Sequence, residues 1–237
     1  MLNAQDIQDY HTNGFLVLEN FKSKTEIAAL KKRATDIANA HDFSAHKDIF
    51  STTQQRKNTT QLCQNYFLDS AFDISCFLEE KALDENGELK QSLETSINKI
   101  GHALHDLDPV FEAFSHGEKL AELATDLGLV QPQIWQSMYI FKQPRFGGQV
   151  DWHQDASFFQ TKPITVTTFW FALDDARLDN GCLWVQKGGH TSPLRQIFVR
   201  NGDDTELRTI DPTPWPSLDE AISVPVKAGS LVCFHGL

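Results

Sequence analysis

The protein has 237 residues, of which 41% are hydrophobic and 11% aromatic, enough for one sizeable core, so we expect a single domain. With 21 Lys and Arg against 32 Asp and Glu, the formal net charge is −11, which argues against binding to nucleic acid or to an anionic membrane. The 9 Pro and 13 Gly exclude a collagen-like chain. No apolar run approaches the roughly 20 residues of a membrane helix. Because the polar start does not resemble a secretory signal, we expect an intracellular, cytoplasmic protein.

The first half of the chain is predicted to be mainly helical. Asn3 is placed to cap a short helix that ends near Gly14, and a strand is expected over residues 15–18. Ser23 and Glu26 have capping-box spacing, which predicts the start of a second helix.

Two more helices are predicted from apolar residues spaced three and four apart. The first stripe consists of Leu89, Leu93, Ile97, Ile100 and Leu104, and the second of Leu120, Leu123 and Leu127. Gly128 follows the second stripe as a plausible C′ residue. Lys99 lies beside the first stripe, where an ordinary solvated helix lysine would explain it. The polar residues 43–65 are predicted to form a loop over a buried site.

After Pro132 the composition changes to short segments rich in β-branched and aromatic residues, separated by Gly, Pro, Asn and Asp. The predicted strands are 134–141, 165–173, 182–185, 196–199, 222–226 and 229–234. We therefore predict an α+β fold, with a helical part over 1–131 that buttresses a β-sandwich or barrel core over 132–237. The boundary near residue 131 is interpreted as a change of layer within one domain.

Four cysteines occur in the chain, at positions 63, 76, 182 and 233. None forms a Cys-x-x-Cys motif, so zinc-ribbon and thioredoxin-like sites have no support. We expect free and mostly buried thiols.

The sharpest chemical signal is His153-Gln154-Asp155. On an extended segment, residues i and i+2 point to the same side, so His153 and Asp155 can bind one cation while Gln154 points away. An imidazole and a carboxylate are two of the three ligands of the 2-His-1-carboxylate iron(II) site, which leaves positions open for a cosubstrate and O₂. The alternative is a hydrogen-bonded His–Asp pair at the end of a strand.

A second His-x-Asp motif, His46-Lys47-Asp48, is interpreted as a chance occurrence because it lies in a polar stretch. The pair at 153 and 155 has a different setting. It follows the glycines Gly147 and Gly148, and the aromatic residues Phe158 and Phe159 come directly after it.

Five segments of the chain resemble the phytanoyl-CoA dioxygenase family. The most specific are QSMYIFKQPRFGGQVDWHQDASFF (136–159) and FWFALDDARLDNGCLWVQKGGH (169–190). The others are YHTNGFLVLENF (10–21), INKIGHALHDLDPVF (97–111) and KAGSLVCFHG (227–236). The resemblance therefore runs nearly from end to end.

This resemblance implies a double-stranded β-helix (jelly-roll, cupin-like) core with N-terminal buttressing helices. The implied activity is that of a dioxygenase that uses Fe(II), 2-oxoglutarate and O₂ to hydroxylate a small-molecule substrate, with succinate and CO₂ as co-products. By resemblance, His153 and Asp155 are iron ligands, and Lys99, Met138 and Trp170 contact 2-oxoglutarate. Without the resemblance, Met138 and Trp170 would be interpreted as core residues on strands.

In the family, the segment that matches residues 229–236 continues to a further histidine, the third iron ligand, and then to an arginine that pairs with 2-oxoglutarate. The sequence ends at Leu237, before both, so we expect a truncated C-terminus and a third ligand beyond Leu237. His235 matches an earlier, non-ligating histidine and is only a weak substitute. His190, in Gly-Gly-His where the family has Gly-Ser-His, is interpreted as a turn or packing residue and is assigned no functional role.

A second interpretation is a non-catalytic or degenerate jelly-roll protein that binds a small molecule and lacks the third ligand. The polar segments 43–65 and 200–220 are expected to shape substrate specificity. The net charge of −11 argues mildly against a CoA thioester, because its phosphates favour Lys and Arg.

Overall fold

The computed structural model describes residues 1–43, 49–50, 66–202 and 204–237 and has an α+β architecture. The helices are α1 (Ala4–Asn13), α2 (Lys24–Ala40), α3 (Leu93–Ser96), α4 (Leu104–Leu107), α5 (Pro109–Ser115) and α6 (Glu118–Asp126). The strands are β1 (Phe15–Leu18), β2 (Ile49–Phe50), β3 (Ile74–Glu79), β4 (Ile97–His102), β5 (Ser137–Ile140), β6 (Thr167–Phe171), β7 (Leu183–Gln186), β8 (Gln196–Asn201), β9 (Asp204–Thr209), β10 (Ala221–Val224) and β11 (Leu231–His235).

The strands form sheets with the orders β1-β11-β6, β2-β3-β4-β5, β7-β10 and β8-β9. All of these pairs are antiparallel except β2–β3, which is parallel. The mixed α+β class predicted from the sequence is confirmed. Among the described helices, none has the length and apolar character needed to cross a lipid bilayer.

The predicted N-terminal elements are confirmed because their signals are local. Asn3 caps α1 by accepting hydrogen bonds from two backbone amides of the first turn, and Gly14 ends the helix in the left-handed conformation with φ 81°. Ser23 and Glu26 form the predicted reciprocal capping box at the start of α2. In the same way, α6 is followed by Gly128 with φ 82°.

The amphipathic helix predicted over residues 89–104 is wrong. This stretch forms the short helix α3, then strand β4 between β3 and β5, then α4. Almost every residue of β4 is buried, including Lys99 and His102, so both faces of the strand are covered and it lacks the alternation of apolar and polar residues that identifies a strand. Its apolar residues matched helical spacing by accident. Lys99 consequently lies on a buried strand and not on a solvated helix face.

The six strands predicted after residue 132 are confirmed within a few residues, as β5, β6, β7, β8, β10 and β11. Strands β2, β3, β4 and β9 were not predicted, and β2 lies in the stretch predicted to be a loop. Because β1 to β4 precede residue 131 and β4 pairs with β5, the sheets cross the predicted change of layer. Cys76, Cys182 and Cys233 are free and buried, as expected. The motif 46–48 lies outside the described residues. So does the predicted loop 43–65, except for residue 43 and residues 49–50.

Strands β6 and β11 present two different faces. Phe169 and Cys233 pack with Tyr10 of α1 and residues of α6. On the other face, Trp170 packs with Val232 and other apolar residues. Neighbouring residues of a strand point to opposite faces, so Thr168 shares the face of Trp170, and Thr167 shares that of Phe169. This second face leads to the candidate site.

Candidate metal centre

His153 and Asp155 lie side by side, with 3.2 Å between His153 Nε2 and Asp155 Oδ1. They do not lie on a strand: Asp155 begins a short 3-10 turn that ends at Ser157. Gln154 between them is nonetheless extended, with φ −116° and ψ 126°. That one extended residue places the two side chains on the same side of the backbone, as the sequence predicts.

The other ring nitrogen of His153 fixes the tautomer. His153 Nδ1 lies 2.9 Å from the carbonyl oxygen of Asp151, which can only accept, so Nδ1 must carry a hydrogen. In the neutral ring, Nε2 then bears a lone pair that faces the carboxylate of Asp155. Two acceptors that face each other at this distance repel unless a proton or a metal cation lies between them.

The charges of the pair shift the pKa values in opposite directions. The side chain of His153 is 47% exposed, and its partial desolvation would by itself lower its pKa, but the hydrogen bond and the charge of Asp155 outweigh this and raise the pKa above the ordinary 6.5. Burial would raise the pKa of Asp155, but His153 and the Thr168 hydroxyl lower it below the ordinary 3.8. Both shifts mark a site that attracts positive charge.

Thr168 of β6 donates its hydroxyl hydrogen to Asp155 Oδ2, the oxygen that does not face His153. The carboxylate is thus held by a strand 13 residues further along the chain. Trp170 lies two residues beyond Thr168 on the same face of β6. The structure therefore places Trp170, one of the three residues predicted to contact 2-oxoglutarate, on the face of β6 that also contacts Asp155.

Lys99 and Met138 contact each other on the sheet formed by β4 and β5. Lys99 Nζ lies 3.9 Å from Met138 Sδ and 5.1 and 5.2 Å from the ring centroids of Phe67 and Phe77. Lys99 is only 4% exposed, and burial lowers its pKa to about 7. Met138 is 47% exposed, so its interpretation as an ordinary core residue is wrong.

His235 lies on the opposite face from the pair. It is the strand partner of Thr167, whose hydroxyl is 3.3 Å from that of Tyr10 in α1, whereas Thr168 pairs with Phe234. Directly paired residues share a face, so His235 is directed towards α1 and away from Asp155. This placement contradicts its use as a substitute ligand.

The ring of His235 lies 5.5 Å from that of His190, and burial followed by the charges of His190 and His11 lowers the pKa of His235. His190 Nε2 lies 3.0 Å from the backbone oxygen of His11. His190 thus packs the turn before β8 against α1, in agreement with its interpretation as a packing residue.

The sequence did not reveal the residues that support the pair. Thr168 is one of them, and its only signal is its position two residues before Trp170. Glu79 is another: it is 1% exposed, and its Oε2 accepts a hydrogen bond of 3.2 Å from the Gly148 amide in the segment that leads to His153. Within the described ranges, no group of three His, Cys, Asp or Glu side chains is arranged to hold a metal.

Comparison with known proteins gives a consistent result over the whole chain. A sequence profile of a family described as Phytanoyl-CoA dioxygenase (PhyH) matches residues 10–237. A protein of Arabidopsis thaliana named phytanoyl-CoA dioxygenase is 44% identical over 235 residues, which cover 99% of this chain and 81% of that protein. Phytanoyl-CoA dioxygenase domain-containing protein 1 of Bos taurus is 42% identical over 239 residues, covering 99% of this chain and 82% of that protein.

Solved structures with the same fold have much lower sequence identity. The non-heme alpha-ketoglutarate-dependent carbocyclase SnoK from nogalamycin biosynthesis aligns with a TM-score of 0.63 at 16% identity, covering 99% of this chain and 75% of that one. EctD from S. alaskensis, crystallised with 2-oxoglutarate and 5-hydroxyectoine, aligns with a TM-score of 0.61 at 20% identity, covering 99% and 68%. At such identities the similarity concerns the fold alone.

Proposed function

The chain belongs to the phytanoyl-CoA dioxygenase family, and from this premise we propose that it is an Fe(II)- and 2-oxoglutarate-dependent dioxygenase that hydroxylates a small molecule. The observation that carries the proposal is the pair of facing acceptors, His153 Nε2 and Asp155 Oδ1, 3.2 Å apart. A cation between them relieves their repulsion.

The donor set fits iron. One imidazole nitrogen and one carboxylate oxygen are ligands that non-heme Fe(II) uses, and with bonds of about 2.0–2.2 Å two adjacent ligand atoms at a right angle lie about 3 Å apart. The pair shows nearly this separation. The other polar atom of each side chain is already held. His153 Nδ1 donates to the Asp151 carbonyl oxygen, and Asp155 Oδ2 accepts from the Thr168 hydroxyl. Such outer contacts orient metal ligands.

When bound with 2-oxoglutarate and O₂, the iron supplies oxidative chemistry that yields succinate, CO₂ and a hydroxylated substrate. In our proposal Lys99 provides positive charge for the dicarboxylate, whose binding raises the pKa of this lysine from about 7. In the same proposal Met138 and Trp170 provide apolar surface for the cosubstrate.

We further propose that β6, β11 and β1, with the β7-β10 pair and the β8-β9 hairpin, belong to one double-stranded β-helix core. The antiparallel pairing of these strands supports this architecture. So does the position of the His153–Asp155 pair next to the face of β6 that carries Thr168 and Trp170, where the Thr168 hydroxyl contacts Asp155.

The test is turnover of 2-oxoglutarate by the full-length protein with Fe(II) and O₂, measured as succinate. We expect Asp155→Asn and His153→Ala to abolish it. His116→Ala is the control, because His116 is an exposed histidine at the end of α5. The proposal fails if the wild-type protein forms no succinate.

The second candidate is a binding protein without catalysis. In that case a proton replaces the metal, and His153 and Asp155 form an imidazolium–carboxylate pair, which the raised pKa of His153 favours. Titration with Mn(II) discriminates between the two, since a proton-bridged pair in a binding protein shows no metal affinity that depends on both residues.

A further inference from the structure

Gln154, the residue between the two candidate ligands, has a buried side chain with both polar ends engaged. It is 4% exposed. Its Nε2 donates to the carbonyl oxygen of Pro193 at 3.0 Å, and its Oε1 accepts from the backbone amide of Arg195 at 2.9 Å. A primary amide can make both contacts at once because it is a donor at one end and an acceptor at the other.

These contacts lie behind the metal pair. Because Gln154 is extended, its side chain points to the opposite side of the backbone from His153 and Asp155. The two hydrogen bonds therefore attach the middle of the motif to the backbone that enters β8. Any rotation of the segment at Gln154 would move His153 and Asp155 together.

Arg195, whose backbone amide binds Gln154, is itself held in place by its side chain. The Arg195 side chain is 6% exposed, and its Nε donates to the carbonyl oxygens of Thr213 and Pro214 at 3.2 and 3.3 Å. Its guanidinium lies 4.9 Å from the centroid of the Trp215 ring. The contacts of Gln154 thus lead to a fixed part of the backbone and not to a loose loop.

We propose that Gln154 is a positioning residue of the metal centre, which sets the relative orientation of His153 and Asp155 through its hydrogen bonds to Pro193 and Arg195. This inference rests on the proposed function, since it assumes that the pair binds a metal. Asp151 and Thr168 hold the two ligands individually, whereas Gln154 holds the backbone between them.

The experiment replaces the amide without changing the length of the side chain. Gln154→Glu keeps an acceptor for the Arg195 amide but cannot donate to Pro193 when ionised, and Gln154→Met removes both hydrogen bonds. Mn(II) is the probe, and its dissociation constant is measured with the full-length protein. We expect affinity to fall about 10- to 100-fold in both variants, as for other residues that orient metal ligands.

Gln160 provides a matched control on the same segment. Its Nε2 donates to the carbonyl oxygen of Phe198 in β8 at 3.0 Å, but it is exposed and lies five residues beyond Asp155. The variants Gln160→Glu and Gln160→Met make the same chemical changes at a hydrogen bond to β8, the strand that directly follows the partners of Gln154. We expect them to retain wild-type affinity for Mn(II).

A second readout needs no metal. In ¹⁵N-histidine NMR spectra of the metal-free protein above the pKa of His153, we expect His153 to show the tautomer with hydrogen on Nδ1. In Gln154→Met the spectrum should show a mixture of tautomers, because the ring no longer keeps its position at Asp151. Gln154→Asn, whose shorter amide cannot reach both partners, provides another variant if either of the first two does not fold.

The outcomes are distinct. If the wild-type protein does not bind Mn(II), the proposed function and this inference both fail. If the wild-type protein binds Mn(II) and any folded Gln154 variant matches its affinity and its His153 spectrum, only this inference fails. Lower affinity and altered tautomers in the Gln154 variants, with unchanged Gln160 variants, support it.

Discussion

Thr168 and Asp155 form a hydrogen bond that leaves one carboxylate oxygen free to face His153. The Thr168 hydroxyl engages Oδ2, while Oδ1 lies 3.2 Å from His153 Nε2. A carboxylate held on one oxygen cannot rotate freely about its side-chain bonds, so the other oxygen is presented in a fixed direction. We therefore expect the metal affinity of the proposed site to depend on Thr168, a residue that would not touch the metal.

Replacing Thr168 by Val should weaken Mn(II) binding about 10- to 100-fold, because the valine has the same shape but no hydroxyl to orient Asp155. Thr168→Ser keeps the hydroxyl and should retain most of the affinity. Thr167→Val is the control on the opposite face of the strand, where the hydroxyl contacts Tyr10. Isothermal titration calorimetry measures all three. Equal affinities in Thr168→Val and wild type would contradict the role of this hydrogen bond.

Metal affinity should fall as the pH falls through the pKa of His153. Asp155 raises this pKa above 6.5, so the ring keeps its proton to a higher pH than an ordinary histidine, and that proton competes with the metal. Below this pKa we expect about a tenfold loss of Mn(II) affinity per pH unit, as one proton is displaced for each metal bound. Dissociation constants measured from pH 6 to 8.5 check the slope. A flat profile would exclude His153 as a ligand.

In the metal-free protein the His153–Asp155 pair should make the unfolding free energy fall as the pH rises, whereas metal affinity should increase with pH. Since the folded pKa of His153 is raised, the stabilisation from the His153–Asp155 contact is fully present below about pH 6.5 and is lost as the pH rises through the folded pKa. His153→Ala should remove this dependence. Urea unfolding at several pH values, with metal removed by a chelator, measures it.

Lys99 should make the unfolding free energy of the metal-free protein rise with pH above neutrality. Burial lowers its pKa from 10.5 to about 7, so between these values the unfolded chain binds a proton that the folded protein lacks. Each pH unit in this window adds at most about 1.4 kcal/mol. Lys99→Met should flatten the rise between pH 7 and 9, measured by urea unfolding. The difference between the two slopes isolates Lys99, and equal slopes would contradict its burial as a neutral amine.

Gly229 should tolerate alanine much less well than Gly87. Both glycines have positive φ, 92° and 78°, which costs an alanine about 1–2 kcal/mol. A Cβ at Gly229 would lie 2.6 Å from the carbonyl oxygen of Lys22, whereas a Cβ at Gly87 meets nothing within 4 Å. We expect Gly229→Ala to lose about 1–3 kcal/mol more than Gly87→Ala in urea unfolding. Equal losses would show that the backbone at Lys22 moves aside without cost.

The sequence predicted the elements whose signals are local. The caps at Asn3 and at Ser23 with Glu26 depend on residues within one turn, and the structure reproduces them. Strand β4 could not be predicted in this way, because burial on both faces removes the alternation on which recognition of a strand depends. The error at Lys99 followed from it, since the exposure of a lysine cannot be judged on the wrong element.

In the candidate site too, the residues with a local signal were predicted, and those that depend on contacts between distant segments were not. His153 and Asp155 were found because their pairing needs only one extended residue between them. The contacts of Thr168 and Gln154 join segments 13 and up to 41 residues apart, so they depend on the register and packing of β6 and on the entry to β8. The exclusion of His235 likewise required the pairing of β11 with β6, which decides the face of each residue.

The central position of β11 also determines when the site can form during folding. β1 and β6 are not neighbours: each pairs with β11, so Phe15 meets Phe234 across most of the chain. Pairings between such distant segments form slowly, because a long loop must close before any contact is gained. During synthesis, β6 therefore lacks its partner until residues 231–235 have left the ribosome. We therefore expect Thr168 and Asp155 to take up their final positions only at that late stage.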